Sequence, residues 1–207
     1  MSVRLYDALN ASYGNRESKR NIEEKGYKFD RTLSNHNEQT YYNPTDQKLL
    51  VTVAGTHNLS DWGTDLLLAN GNLKLSKRYI EAKKTLEQAR TKYHPKETVV
   101  AGHSLGNIAS GIASRDDKVY TLDGGYTIGQ KTRANTKAYR SQGDVVSLLG
   151  ANAKHMTTLN QGNVLSRNKY KILGGAIGGF GGLAVGALAD AWHNHDLKHI
   201  KNENIFI

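Results

Sequence analysis

The apolar and polar positions of this chain fall into alternating short segments. Over 5–13, Leu5, Tyr6, Ala8, Leu9, Ala11 and Tyr13 recur at helical spacing, and Gly14 follows where a C-cap glycine belongs. Arg16 to Lys25 is densely charged and predicts a surface segment, helical or loose. Tyr27 to Leu33 alternates like an edge strand. The strand-like runs 39–42 and 48–53 are joined by Asn43-Pro44-Thr45-Asp46-Gln47, whose Pro and Asp supply turn chemistry, so they predict an antiparallel hairpin with its apolar arm central. From Leu75 to Tyr93, apolar residues at Tyr79, Ile80, Ala82, Leu86, Ala89 and Tyr93 alternate with Lys, Glu and Arg, an amphipathic helix that stops before Pro95. Further strands are predicted at 97–101, 118–122, 137–143 and 155–159. A strand, a long helix and another strand make a βαβ unit, which requires a parallel sheet.

The strand at 97–101 leads into Gly102-His103-Ser104-Leu105-Gly106, a G-x-S-x-G pattern, and residues 107–114 then run small and mostly apolar, as a tightly packed helix should. A strand, this pattern and a helix together describe the nucleophile elbow, a sharp turn that lifts a serine hydroxyl above a sheet. Both glycines follow from the close approach of helix and strand, where a Cβ would collide. Ser104 is the candidate nucleophile.

The chemistry becomes more specific upstream. The apolar hairpin arm ends in Ala54-Gly55-Thr56, followed by a short loop and Asp61-Trp62-Gly63-Thr64-Asp65-Leu66. Strand, G-T, loop and D-W-x-x-D-L, with the elbow downstream, resemble the class 3 lipases, the fungal-lipase-like α/β-hydrolases. The likeness runs through most of the chain, about residues 5–200. It implies an α/β-hydrolase fold with a mostly parallel central sheet flanked by helices and the hairpin on its N-terminal side. It also implies ester hydrolysis, commonly of acylglycerols or phospholipids. In that family the residue after the glycine helps form the oxyanion hole, which is Thr56 here, and the second donor is the backbone N–H of Leu105. The family usually carries Arg before the glycine where this chain has Ala54. Asp61, Trp62 and Asp65 read as anchors of their loop.

D-x-V just past a strand carries the family's triad acid, and Asp144 in Gly143-Asp144-Val145-Val146 matches it. Asp123, at the end of strand 118–122, is the alternative. The histidine must follow the acid, and the family places it in a late H-x-L segment. His195-Asp196-Leu197-Lys198-His199-Ile200 fits that frame, with Ile200 where an aromatic is usual. His195 is therefore the candidate base, with His193 the alternative and His199 a weaker fit. Three nearby histidines without cysteine or a clear carboxylate pattern do not make a metal site, and triad chemistry needs no cofactor.

Length and composition narrow the setting. A chain of 207 residues, 38% hydrophobic and 23% charged, suits one soluble domain over 1–207. There are no cysteines, so disulfides and thiolate metal sites are excluded. The N-terminus lacks the apolar core of a secretion signal, which predicts a cytoplasmic or virion-associated protein, peripheral at membranes if it meets them. The net charge of +9 is spread through the chain rather than gathered into a basic stripe interleaved with aromatics, so nucleic acid is not the expected partner. A diffuse positive field suits an anionic membrane surface as well as simple solubility. Ile172 to Ala189 is glycine-rich, apolar and uncharged, close to the roughly 20 residues that span a bilayer. Glycine makes it a poor helix and only modestly hydrophobic, so a packed or mobile soluble element, reversible lipid contact and a permanent anchor all stay open. This run and the charge define a second reading: a membrane-active or virion structural protein on a hydrolase fold, with catalysis secondary or lost. A third is an esterase or peptidase for small soluble acyl compounds.

Overall fold

A computed structural model describes residues 2–56, 77–125, 132–141, 156–159 and 197–207 of the chain. Among these residues seven strands form one sheet in sequence order: β1 (Lys28–Phe29), β2 (Glu38–Asn43), β3 (Lys48–Val53), β4 (Glu97–His103), β5 (Lys118–Leu122), β6 (Thr136–Ser141) and β7 (Met156–Leu159). The first three pair antiparallel, and β3 through β7 run parallel. The helices described are α1 (Leu5–Ser12), α2 (Arg16–Glu23), α3 (Lys77–Tyr93) and α4 (Ile108–Ile112). This is the expected α/β architecture, a mostly parallel sheet flanked by helices and entered through an antiparallel hairpin.

The near-continuous apolar runs in β3 and β4 follow from burial on both faces. Leu50, Val99 and Ala101 pack on one face with Leu5, Leu9 and Ile22 from α1 and α2, and with Leu197 and Ile200 from a 3₁₀ turn at Leu197–Ile200. Leu49, Val51, Val53 and Val100 pack on the other with Ala82, Leu86 and Ala89 of α3 and Ile108 and Ile112 of α4. Most of the polar stripe of α3, including Lys83, Lys84, Glu87 and Gln88, stays exposed, as its amphipathic pattern requires.

Local chemistry sets the boundaries. Gly14, at φ +89°, closes α1, and the Asn15 side chain caps α2 by accepting from the Ser18 N–H at 2.9 Å. In the hairpin turn, Asn43 Oδ1 accepts from the N–H groups of Thr45 (3.0 Å) and Asp46 (3.1 Å). The edge strand expected over 27–33 is cut to Lys28–Phe29. Asp30 Oδ1 accepts from the N–H groups of Thr32 (2.9 Å) and Leu33 (3.2 Å), folding the chain into a turn instead of a ladder. Sequence patterning also did not register that the chain's ends pair. Val3 donates to the Ile207 carbonyl at 3.1 Å, and Ile207 donates back to Val3 at 2.8 Å. Among the described residues no helix is long and apolar enough to cross a membrane, and the run at 172–189 lies outside them.

Candidate active site

β4 ends at His103, and the chain turns at Ser104 into a 3₁₀ helix, Ser104–Asn107, that continues as α4. The helix expected over 107–114 thus begins earlier, at the serine itself, and in tighter form. Ser104 sits at φ +57°, where residues with a Cβ are rare, and is 3% exposed. A strained serine between a central strand and a helix is the geometry of a nucleophile elbow. The glycines explain how the turn is possible. A Cβ on Gly102 would fall 1.9 Å from the carbonyl oxygen of Gly106, and one on Gly106 would fall 2.2 Å from that of Val53. Sheet and elbow together form an α/β-hydrolase framework.

β3 lies parallel to β4 with Val53 opposite Gly102, so Ala54-Gly55-Thr56 leaves the sheet beside His103-Ser104-Leu105. The approach is tight. A Cβ on Gly55 would stand 2.8 Å from Ser104 Cβ and 2.9 Å from the His103 carbonyl oxygen. Thr56, the residue expected to serve the oxyanion hole, is buried directly beyond this contact. Leu105 is the second residue of the 3₁₀ helix that Ser104 begins, in the first turn, where backbone N–H groups have no partner within the helix.

Several residues that hold this arrangement were not visible in the sequence pattern. The Tyr13 hydroxyl accepts from the Gly55 N–H at 2.7 Å and lies 2.7 Å from His103 Nδ1. Its ring meets the imidazole edge-on, with centroids 5.7 Å apart. Burial pushes the phenol's ionisation well above the ordinary tyrosine value, outweighing the Gly55 hydrogen bond and the nearby Arg78 charge. Arg78, on α3, donates to the carbonyls of Ala54 (2.6 Å) and Gly55 (3.4 Å). A guanidinium therefore supports this loop although position 54 is alanine. Behind it, Glu38 is fully buried opposite Val53 on β2. Burial raises the Glu38 pKa, against the opposing influence of Asn35 and Arg78.

On the far side of the elbow, Gly125 donates to the Ser104 carbonyl at 3.1 Å, and its own carbonyl accepts from Asn107 Nδ2 at 3.0 Å. Ser110 Oγ lies 3.0 Å from Asn107 Oδ1. These bonds tie the loop after β5 to the elbow. Asp123, the alternative acid, is fully buried at φ +47° at the end of β5. One of its oxygens accepts from the Ser141 N–H (2.6 Å) and the other from Ser141 Oγ (2.7 Å), joining the ends of β5 and β6.

Asp144, His193 and His195 lie outside the described residues, as do Asp61, Trp62 and Asp65. The backbone of His199 belongs to the 3₁₀ turn at Leu197–Ile200. Of the expected site residues, the structure thus brings Ser104, Leu105 and Thr56 to one edge of the sheet, with Asp123 at the neighbouring strand end. Among the described residues no group of three or more His, Asp or Glu side chains is gathered as a metal would need.

No protein-family model matches the chain, and no curated protein matches it in sequence. Among solved structures it is similar to the Lip2 lipase from Yarrowia lipolytica, with a TM-score of 0.48 and 14% identity over 76% of this chain and 77% of the other. It is also similar to a mutant form of MDLA from Penicillium cyclopium, with a TM-score of 0.44 and 17% identity over 76% of each chain.

Proposed function

We propose that this protein is a serine hydrolase of the class 3 lipase type, cleaving carboxylic esters of lipids through an acyl-enzyme. The observation that carries the reading is the left-handed Ser104 at a glycine-walled strand-to-helix turn, with the Gly55–Thr56 loop pressed against it. A serine hydroxyl is a weak nucleophile at neutral pH and needs a hydrogen-bonded imidazole to accept its proton. In this reading His195 takes the Ser104 proton as the oxygen attacks the ester carbonyl, then returns it to the leaving alcohol. Asp144 orients the imidazole and stabilises its charged form. The N–H groups of Thr56 and Leu105 hold the tetrahedral oxyanion, a contribution of about 3 kcal/mol per donor. Water, activated by the same histidine, then releases the acid.

The strand directions are consistent with this assignment. β4, β5 and β6 are parallel, so the chain leaves β6 at the edge that carries Ser104, three residues before Asp144. His195 stands two residues before Leu197, which is buried in the core shared with α1. Asp123 already accepts two hydrogen bonds from Ser141, which favours Asp144 as the triad acid. The net charge of +9 favours substrate presented at an anionic surface, phospholipid above neutral lipid.

The test is hydrolysis of a long-acyl p-nitrophenyl ester and of anionic phospholipid vesicles by wild type and Ser104→Ala. Hydrolysis that disappears in the variant supports the proposal, and the preferred substrate separates esterase from phospholipase. Two equally inactive proteins with native circular dichroism would instead favour the membrane-active or structural reading.

A further inference from the structure

We propose that Tyr13 is a positioning residue that sets the spacing between the oxyanion donors and the nucleophile, an inference that rests on the serine-hydrolase reading. A phenol has one proton to donate and two lone pairs to accept with. The Gly55 N–H occupies one lone pair at 2.7 Å. The phenol, kept neutral by burial, also lies 2.7 Å from His103 Nδ1, within hydrogen-bond distance.

The two partners of Tyr13 stand one residue upstream of the two functional groups. Gly55 precedes Thr56, and His103 precedes Ser104. One hydroxyl from the end of α1 therefore ties the oxyanion loop to the elbow, although its partners lie 42 and 90 residues away in sequence. Arg78 holds the same loop from α3 by its carbonyls, so the two peptide groups that flank the Gly55 Cα are held, one by its N–H and the next by its oxygen. An oxyanion hole acts only when its donors meet the oxygen where it will be, not where the ground-state carbonyl lies. A hydroxyl that fixes this spacing acts in the transition state more than in substrate binding.

The experiment compares kcat and KM for p-nitrophenyl butyrate in wild type, Ser104→Ala, Tyr13→Phe, His103→Asn and His103→Leu, with a thermal melt of each. Tyr13→Phe removes only the oxygen and is expected to lower kcat about 10- to 100-fold, with KM within about twofold. Asparagine can offer its side-chain oxygen near the place of Nδ1, so His103→Asn is expected to retain more kcat than His103→Leu. That pair carries the test if Tyr13→Phe does not fold. Wild-type kcat in Tyr13→Phe, a loss carried wholly by KM, or equal kcat in the two His103 variants would overturn the positioning role. Absence of Ser104-dependent hydrolysis in wild type would instead remove the hydrolase reading itself.

Discussion

Gly55 stands so close to Ser104 that a Cβ on the glycine would lie 2.8 Å from the serine's own Cβ. The added methyl would also meet Tyr13 Oη at 2.5 Å and the His103 carbonyl oxygen at 2.9 Å, and that carbonyl is backbone that cannot swing aside. Gly55→Ala is therefore expected to push the oxyanion loop off the elbow. Hydrolysis should fall about 100-fold or more, because a displacement of about 1 Å at a reacting centre has that effect. The accompanying loss of stability should be about 1–3 kcal/mol, the usual cost of overpacking. Steady-state kinetics and a denaturant melt of the same preparation check both.

The two candidate acids separate by substitution. Asp123→Ala would leave the Ser141 N–H buried without its acceptor and should destabilise the protein by about 1–3 kcal/mol. Asp123→Asn preserves an acceptor oxygen and should fold with much of its activity. Asp144→Asn should leave stability nearly unchanged and lower kcat by about 10⁴, as loss of a triad acid does. A large kcat loss in Asp123→Asn with little in Asp144→Asn would reverse the assignment.

Glu38 predicts a stabilising substitution. Its carboxyl is fully buried, and the Asn35 side chain and the Arg78 charge offset only part of the cost of that burial. Its folded-state pKa is raised, chiefly by burial. A raised acid binds its proton more tightly when folded, so stability is greatest below the ordinary glutamate pKa of about 4.3 and declines as pH rises through the folded value. Glu38→Gln should remove that decline. Melting curves at pH 7 should place the variant above wild type, and the difference should shrink toward pH 4.

Asp30 has the opposite sign. Burial alone would raise its pKa, but hydrogen bonds from Lys92, Tyr93, Thr32 and the Leu33 N–H hold it well below the usual carboxylate range. Its contribution is complete above the ordinary aspartate pKa of about 3.9 and is lost as pH falls through the lower folded value. Asp30→Asn should cost about 2 kcal/mol at pH 7 by chemical denaturation. The gap to wild type should narrow only below about pH 4.

The elements that could be read from sequence are those whose signal is local. The β2–β3 hairpin shows in its turn residues, α3 in its spacing, and the elbow in two glycines around Ser104 whose Cβ positions are filled by backbone. The missed features depend on contacts between distant residues. Tyr13 reads as one more apolar position of α1, and only the fold reveals that its hydroxyl meets Gly55 and His103. Arg78 belongs to the charged stripe of α3, yet its guanidinium reaches inward to Ala54. Asp123 could be recognised as an acid at a strand end but not as the partner of Ser141. The strand expected over 27–33 failed for a local reason, because Asp30 offers the backbone a turn in competition with the ladder.

The central claim is that Ser104 is an activated nucleophile. Its most direct test is labelling of the native protein with a fluorophosphonate, which reacts covalently with activated serines, followed by mass spectrometry of the peptides. The account predicts a single adduct on Ser104, formed at neutral pH, absent in Ser104→Ala and in heat-denatured protein, and strongly slowed in His195→Ala. No adduct on the folded protein, or an adduct on another serine with Ser104 unmodified, would contradict it.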